Sequence, residues 1–352
     1  MTTLTASAKK VRVGIVNITG YVGVELARLL FLHPQVEIAS VSGRSSAGKK
    51  VGEVFPHLSL IDLEITSEIA EVDIAFVALP HKESAPVVVS LLNKGIRVID
   101  ISADFRLKDN TLYPEWYGFI HPAPELLSEA VYGLPELYRN EISGARLVAN
   151  PGCYPTSAIL ALAPLAKNSL IGNHVIIDSK SGVSGAGRSP SLKTHYCETN
   201  ESISAYALEG HRHLPEIEQE LAYFMHGTKP VATFVPHLTP MTRGILTTTY
   251  ASLNTKQISE SFDTESLKTL YGDFYQDEPF IKIVSSPPSS KQVWGSNMCL
   301  IYPTIDKRTN HTVIVSTIDN IVKGAAGQAV QNMNIMLALP ETTGLESLAI
   351  YP

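Results

Sequence analysis

A chain of 352 residues with 28 Lys+Arg against 34 Asp+Glu has a formal net charge of −6 at pH 7, which removes any whole-chain electrostatic case for nucleic-acid or polybasic membrane partners. With 44% hydrophobic and 18% charged residues, it reads as an ordinary globular protein with material for about two domains of ~100–200 residues each. Three cysteines are too few, and odd in number, for a disulfide framework; with an N-terminal MTTLTASAKK that lacks an apolar signal core and no run near ~18 apolar residues, they predict a cytoplasmic protein.

The first third alternates strand and helix patterns. A β-branched run at 11–16, helical spacing at 22–32 and a strand at 36–41 make a βαβ unit. A strand at 73–79, a helix at 84–92 and a strand at 97–101 extend it into a mostly parallel sheet covered by helices. From 108 to 139 the pattern dissolves into Pro, Tyr, Trp and Gly, an irregular excursion of functional rather than linker character. Beyond it lie a strand at 174–180, a Gly/Ser-rich loop at 181–190, and β-branched stretches at 231–235, 245–253, 281–284, 298–302 and 312–318. This half predicts an α+β arrangement with an antiparallel or mixed sheet. A helix at 325–339 closes the chain.

The first strand runs through Asn17, Ile18 and Thr19 into Gly20, Tyr21, Val22 and Gly23, and then directly into a helix. Backbone amides at such a turn hold a pyrophosphate, and glycine lets the ligand approach closely. Asn17 stands where a first glycine is usual; asparagine tolerates left-handed φ better than most residues, so the turn survives. About 20 residues on, where NAD sites tend to have a carboxylate, the chain offers Ser42, Gly43, Arg44 and Ser45. A guanidinium with two hydroxyls suits a 2′-phosphate, which favours NADP over NAD. The bland alternative is a solvated loop arginine.

The most informative stretch is Asn150-Pro151-Gly152-Cys153-Tyr154-Pro155-Thr156, where a strand ends in a sharp turn and Cys153 opens a helix. The positive helix end lowers a thiol pKa and supplies thiolate; orphan amides there can also meet an oxyanion. A free cysteine is more often a small core residue, but the flanking prolines argue against a regular core. Cys197 and Cys299 lack such a setting and read as structural. His211, Arg212 and His213 provide a candidate acid/base and anion-binding groups, with a solvated helix start as the plain alternative. Arg106, just past a strand end, is a plausible clamp for a carboxylate or phosphate. No histidine or cysteine spacing matches a zinc pattern, so no metal is expected.

Together these stretches resemble a known family, N-acetyl-γ-glutamyl-phosphate reductase of arginine biosynthesis, within the wider semialdehyde dehydrogenase group. The resemblance is carried by Gly20-Tyr21-Val22-Gly23-Val24-Glu25-Leu26, Ser102-Ala103-Asp104-Phe105-Arg106, Asn150 to Thr156, Ser181 to Gly187, His211-Arg212-His213-Leu214-Pro215-Glu216-Ile217, Pro236 to Met241 with Arg243-Gly244, and Lys323-Gly324-Ala325-Ala326-Gly327-Gln328-Ala329, in family order over nearly the whole chain. Asn17-Ile18-Thr19 departs from the family's usual Gly-Ala-Ser. The resemblance implies an α/β fold, with a Rossmann-type, mostly parallel nucleotide-binding domain (1–150 with 325–352) and an α+β catalytic and dimerisation domain with a mixed sheet (151–324). It implies NADPH as cofactor, a small acyl-phosphate substrate, a homotetramer, and no nucleic-acid or membrane partner. By resemblance Cys153 is the nucleophile and His211, ahead of His213, the proton carrier. Arg106, Asn150, Arg212 and His213 meet the substrate, and Thr19, Gly20, Tyr21, Val22, Gly23, Ser42, Arg44, Ser45, Ser181, Gly182 and Asn320 meet the cofactor. Aspartate-semialdehyde dehydrogenase and a non-catalytic dinucleotide sensor are the rival readings.

Overall fold

The computed structural model describes residues 10–225, 230–254, 256–259 and 261–352; residues 1–9 of the N-terminal stretch read for a signal core lie outside them. Two seven-stranded sheets organise the chain. The first contains β1 (Val11–Val16), β2 (Val36–Ser42), β3 (Ile65–Thr66), β4 (Ile74–Val77), β5 (Arg97–Asp100), β6 (Val131–Tyr132) and β7 (Leu147–Ala149) in the order β3-β2-β1-β4-β5-β7-β6. Every pairing in it is parallel, and the β-branched runs explain why. Strands covered on both faces need continuous apolar sequence rather than alternation, and all four residues of β4 are buried. The strand order turns back beside β1, so a crevice opens at the carboxyl ends of β1 and β4.

The second sheet contains β8 (Ile171–Gly182), β9 (Ser204–Ala205), β10 (Val231–Thr239), β11 (Ile245–Leu253), β12 (Ile281–Ile283), β13 (Cys299–Asp306) and β14 (His311–Ile318), ordered β12-β13-β14-β11-β8-β10-β9. It is mixed: β8 and β10 run parallel, whereas β11 is antiparallel to both β8 and β14. Its strands alternate, with Ile245, Thr247, Thr249, Ala251 and Leu253 of β11 buried and the residues between them more exposed. The longer helices are α1 (Tyr21–Phe31), α2 (Ser84–Asn93), α3 (Pro135–Ser143), α4 (Cys153–Lys167), α5 (Leu214–Phe224), α6 (Thr264–Phe274) and α7 (Gly327–Met336). The inner face of the second sheet packs on α4, whose residues 154–166 are all buried.

Two differences from the pattern reading have physical causes. The 108–139 excursion contains the short helices Leu112–Tyr117 and Leu126–Glu129, the edge strand β6 and the start of α3. It carries core material: the aromatic Tyr113 and Tyr117, with Leu127, pack with Phe105 and Val98, which a Pro- and Gly-punctuated sequence conceals. The closing helix is preceded by a π-turn, Val322–Ala326, and α7 is buried at every position although four of its ten residues are Asn or Gln. Their side-chain N–H groups donate inside the protein, while Gln328 Oε1 and Asn332 Oδ1 are buried without a partner among the described residues. Gln328 and Asn332 donate to the Gly133 carbonyl, Asn332 also to Asn150 Oδ1, and Asn334 to the Glu341 and Thr343 carbonyls. Val330 and Met333 share a core with Val13, Ile15 and Leu26 of the first sheet and α1.

Candidate active site

The turn after β1 is held by its own side chains. Asn17 adopts φ 67°, the left-handed conformation that a first glycine would supply. Its Nδ2 donates to the Ala78 carbonyl at 2.8 Å, while its Oδ1 accepts from the Thr19 hydroxyl. A Cβ on Gly23 would stand 2.4 Å from the Asn17 carbonyl oxygen, so only glycine lets α1 start this close to β1. No side chain caps α1 at Gly20, and its first amides face the crevice. Thr19, Gly20, Tyr21 and Val22 line a cleft of about 1130 Å³ together with Ser42, Arg44, Ser45, Asn320, Arg106, Cys153, His213 and the loop from Ser184 to Ser189. Gly23 packs beneath the turn, and Ser181 and Gly182 stand behind the loop at the end of β8. Ser181 is 2% exposed, and a Cβ on Gly182 would meet the Arg243 backbone. Arg44 is exposed and pairs with Glu83 at 2.7 Å, an exposed contact of ~0–1 kcal/mol that a phosphate readily displaces. Asn320 braces the loop from below, donating to Ser184 Oγ and accepting from the Gly244 amide.

Cys153 is the first residue of α4 and sits where the two sheets meet. Gly324 of the π-turn packs against it so closely that a Cβ there would lie 2.7 Å from Cys153 Cβ. The helix-end argument predicts a lowered thiol pKa; in the free protein burial wins and pushes it up to about 11. Arg106 and the backbone amides of Tyr154 and Cys153 pull the other way, while Glu216 adds to the rise. The magnitudes make this outcome reasonable, since a helix terminus offers at most ~2 kcal/mol and a desolvated charge costs more.

Gly152 is boxed by His213 Nε2 and Arg106 Nη1, which would lie 2.7 and 2.9 Å from a Cβ there. Arg106 is 5% exposed, with Nε on the Asn150 carbonyl, Nη2 on the Ile101 carbonyl and Nη1 3.4 Å from Glu216 Oε2. Asn150 has its side chain turned away from the cleft, donating to the Ala325 carbonyl and accepting from Asn332. His213 lines the cleft, whereas His211 stands behind it in a box of Tyr154, Tyr206 and Phe234 rings, its Nδ1 accepting the His213 amide. Burial drives both imidazoles down, His211 to about 4 and His213 well below its ordinary range, with Arg212 adding to each. His213 Nδ1 is buried without a hydrogen-bond partner among the described residues. Arg212 points outward, its Nη1 2.7 Å from His81 Nδ1, so the structure does not bring it to Cys153.

Glu216 is the residue that pattern reading passes over. Fully buried in the first turn of α5, it accepts from the Gly152 amide and the Tyr132 hydroxyl, both at 2.8 Å, and faces Arg106. Its one sequence signal is a carboxylate directly after His-Leu-Pro, on a buried face that also carries Ile217, Glu220 and Leu221. A second network fixes Arg106 from the other side. Asp100 accepts from Ser84 and Ser102, and Asp104 accepts from the Lys82 and Ala85 amides, tying the start of α2 to the turn that carries Arg106. Cys299 is buried and Cys197 exposed, both outside the cleft lining. Among the described residues no cluster of three or more His, Cys, Asp or Glu could hold a metal, and no helix is long and apolar enough to cross a membrane.

The uncapped α1 terminus, the Gly23 cradle and the open cleft leading to Cys153 fit a dinucleotide with its reactive end at the thiol. Comparison with known proteins points the same way. Residues 12–145 match the semialdehyde dehydrogenase NAD binding domain, and residues 153–320 match the semialdehyde dehydrogenase dimerisation domain. The structure is similar to aspartate semialdehyde dehydrogenase II from Vibrio cholerae, with a TM-score of 0.69 at 16% identity over 94% of this chain and 99% of that one, a likeness of fold. In sequence the chain is 58% identical to the N-acetyl-gamma-glutamyl-phosphate reductase of Dehalococcoides mccartyi (strain CBDB1) over 98% of its own length and 100% of the relative's. It is 50% identical to the protein of that name from Desulforamulus reducens over 97% and 100%. The chain belongs to the N-acetyl-gamma-glutamyl-phosphate reductase family.

Proposed function

We propose that this protein catalyses the NADPH-dependent reduction of N-acetyl-L-glutamyl 5-phosphate to N-acetyl-L-glutamate 5-semialdehyde and phosphate, a step of arginine biosynthesis, as a cytoplasmic homotetramer. The observation that carries the reading is one cleft holding a dinucleotide turn, a helix-terminal cysteine and a buried imidazole–guanidinium pair. The nucleotide domain is read as 1–150 completed by 325–352, and the catalytic and dimerisation domain as 151–324.

His213, neutral and adjacent to the Gly152–Cys153 peptide, takes the thiol proton. It is preferred to His211, which the aromatic box keeps one layer back. Cys153 Sγ attacks the acyl carbon, the bond to phosphate breaks, and His213 returns the proton to the departing phosphate, leaving a thioester on Cys153. Arg106 supplies positive charge beside the developing anion, and the amides at the start of α4 can meet the oxyanion. Thr19, Gly20, Tyr21, Val22 and Gly23, with Ser42, Arg44, Ser45 and Asn320, would hold NADPH, which would supply the hydride that reduces the thioester. Collapse of the resulting thiohemiacetal anion expels the aldehyde, and the Cys153 thiolate so formed takes up a proton from solvent to restore the resting thiol. With a free-state thiol near 11 and a depressed imidazole, the resting pair is neutral and proton transfer accompanies attack.

The test is absorbance at 340 nm with NADP⁺, phosphate and N-acetylglutamate semialdehyde, run beside aspartate semialdehyde. A phosphate-dependent signal with the acetylated aldehyde alone is expected. Silence with it, from folded protein with reduced Cys153, overturns the reading. Cys153→Ala should lose at least ~10³-fold in turnover while still binding NADPH.

A further inference from the structure

The cleft holds another guanidinium, one carried by the loop that follows β8. Arg188 follows the turn Val183–Ala186 of the second domain, yet its side chain lies over the first. Its Nη1 donates to the Thr19 carbonyl at 3.0 Å, and the guanidinium carbon sits 5.0 Å from the centroid of the Phe55 ring. Thr19 in turn packs on Gly43, where a Cβ would lie 2.9 Å from Thr19 Cγ2. Gly43 joins the end of β2 to Arg44, so Arg188 and Arg44 approach the same corner of the cleft, one from each domain.

Their electrostatic situations differ. Arg44 has an exposed partner in Glu83 at 2.7 Å, whereas among the described residues Arg188 has no carboxylate within ion-pair distance and spends one of its N–H groups on a carbonyl. A guanidinium lying over an aromatic face is held in place by that face and keeps its remaining N–H edge for an anion. Such a planar fork suits a phosphate monoester. The corner beyond β2 is where the adenosine ribose of a dinucleotide rests in this class of sheet.

We propose that Arg188 is a determinant of cofactor choice: it binds the phosphate monoester on the adenosine ribose of NADPH, so that this group is read from both domains at once. The inference rests on the NADPH reading above and adds to it a residue outside the span matched by the NAD binding domain. It also makes cofactor binding a link between the domains, because the loop that carries Arg188 lines the same cleft as Cys153.

Isothermal titration of NADPH and NADH against wild type and Arg188→Met tests it without turnover. Losing a charged hydrogen-bonding partner should raise the NADPH Kd about 10- to 100-fold and leave the NADH Kd within about twofold. Phe55→Leu, which removes the platform and keeps the charge, should shift NADPH in the same direction by a smaller factor. Equal weakening of both cofactors by Arg188→Met would assign the residue to the pyrophosphate or the fold and overturn the proposal, as would no change for either. Wild-type protein that fails to prefer NADPH would instead overturn the cofactor reading itself. Arg188 is exposed, and retained NADH binding reports that the variant is folded.

Discussion

Replacing Glu216 by glutamine separates charge from shape at the centre of the site. The carboxylate holds the Gly152 amide and the Tyr132 hydroxyl through Oε1 and faces Arg106 through Oε2. A glutamine carbonyl can still accept both bonds, but each loses its charge assistance, about 1 kcal/mol apiece. Arg106 is left buried without a counter-charge. Breaking a buried pair outright costs ~3–5 kcal/mol; here the ion contact is long, at 3.4 Å, and two carbonyl acceptors remain. The expected loss of stability is therefore about 2–4 kcal/mol, read from urea midpoints, with turnover lowered roughly 10- to 100-fold as the Gly152–Cys153 peptide loosens. The thiol should respond in the opposite sense. Glu216 is one of the groups that raise its pKa, so removing the negative charge makes Cys153 more acidic. In a Cys197→Ser background, alkylation of the Cys153 peptide by iodoacetamide, followed by mass spectrometry between pH 6 and 10.5, should show the rate profile moved to lower pH in Glu216→Gln. A uniform acceleration with no displacement along the pH axis would mean mere loosening, and a shift to higher pH would refute the electrostatic account.

Gly324→Ala should reduce turnover by about 100-fold or more, because its Cβ would stand 2.7 Å from that of Cys153 and must displace it; full activity would show that the π-turn can retreat. Lys323 and Glu136, both with fully buried side chains and 2.6 Å apart, should lose ~3–5 kcal/mol when Lys323→Met is made alone, and more than half of that should return in Lys323→Met with Glu136→Leu. Chemical denaturation of the four proteins checks this cycle, and additive losses would deny the coupling. Burial raises the Glu220 pKa from 4.5 to about 7, so the folded state holds a proton that the unfolded state releases, and stability falls as pH rises through that window. Relative to Glu220→Gln, wild type should lose roughly 3 kcal/mol between pH 4.5 and 7.5; a pH-independent difference would place the Glu220 pKa in the ordinary range.

The parts of the site that were legible from sequence are those whose chemistry is local. Asn17 to Gly23 and Asn150 to Thr156 are each a strand, a turn and a helix start within a few residues, and backbone geometry there demands particular side chains. Arg106 and the two histidines could be nominated by type, but which imidazole faces the cleft depends on how α5 packs under Tyr154 and Phe234. Glu216, Gly324 and Arg188 act on partners 64, 171 and 169 positions away in the chain, and no periodicity encodes such meetings. Two-residue strands such as β3, β6 and β9 are too short for an alternation signal. The sign of the Cys153 shift was missed for another reason: a helix end can be read from sequence, whereas the degree of burial cannot.

The place of α7 bears on how the molecule is born. A ribosome delivers this helix after all fourteen strands, yet Val330 and Met333 cover β1 and α1, and Asn332 completes the hydrogen bonding of Asn150 beside the reactive cysteine. Until then the nascent first sheet exposes an apolar flank to solvent for the time needed to synthesise well over a hundred further residues, about 10 s or more at ~5–20 residues per second. Closure across so long a stretch of chain makes the last step a slow, non-local one, during which chaperones have the strongest claim on the chain. A split version of the protein would need residues 322–352 supplied to its N-terminal half before that half could settle.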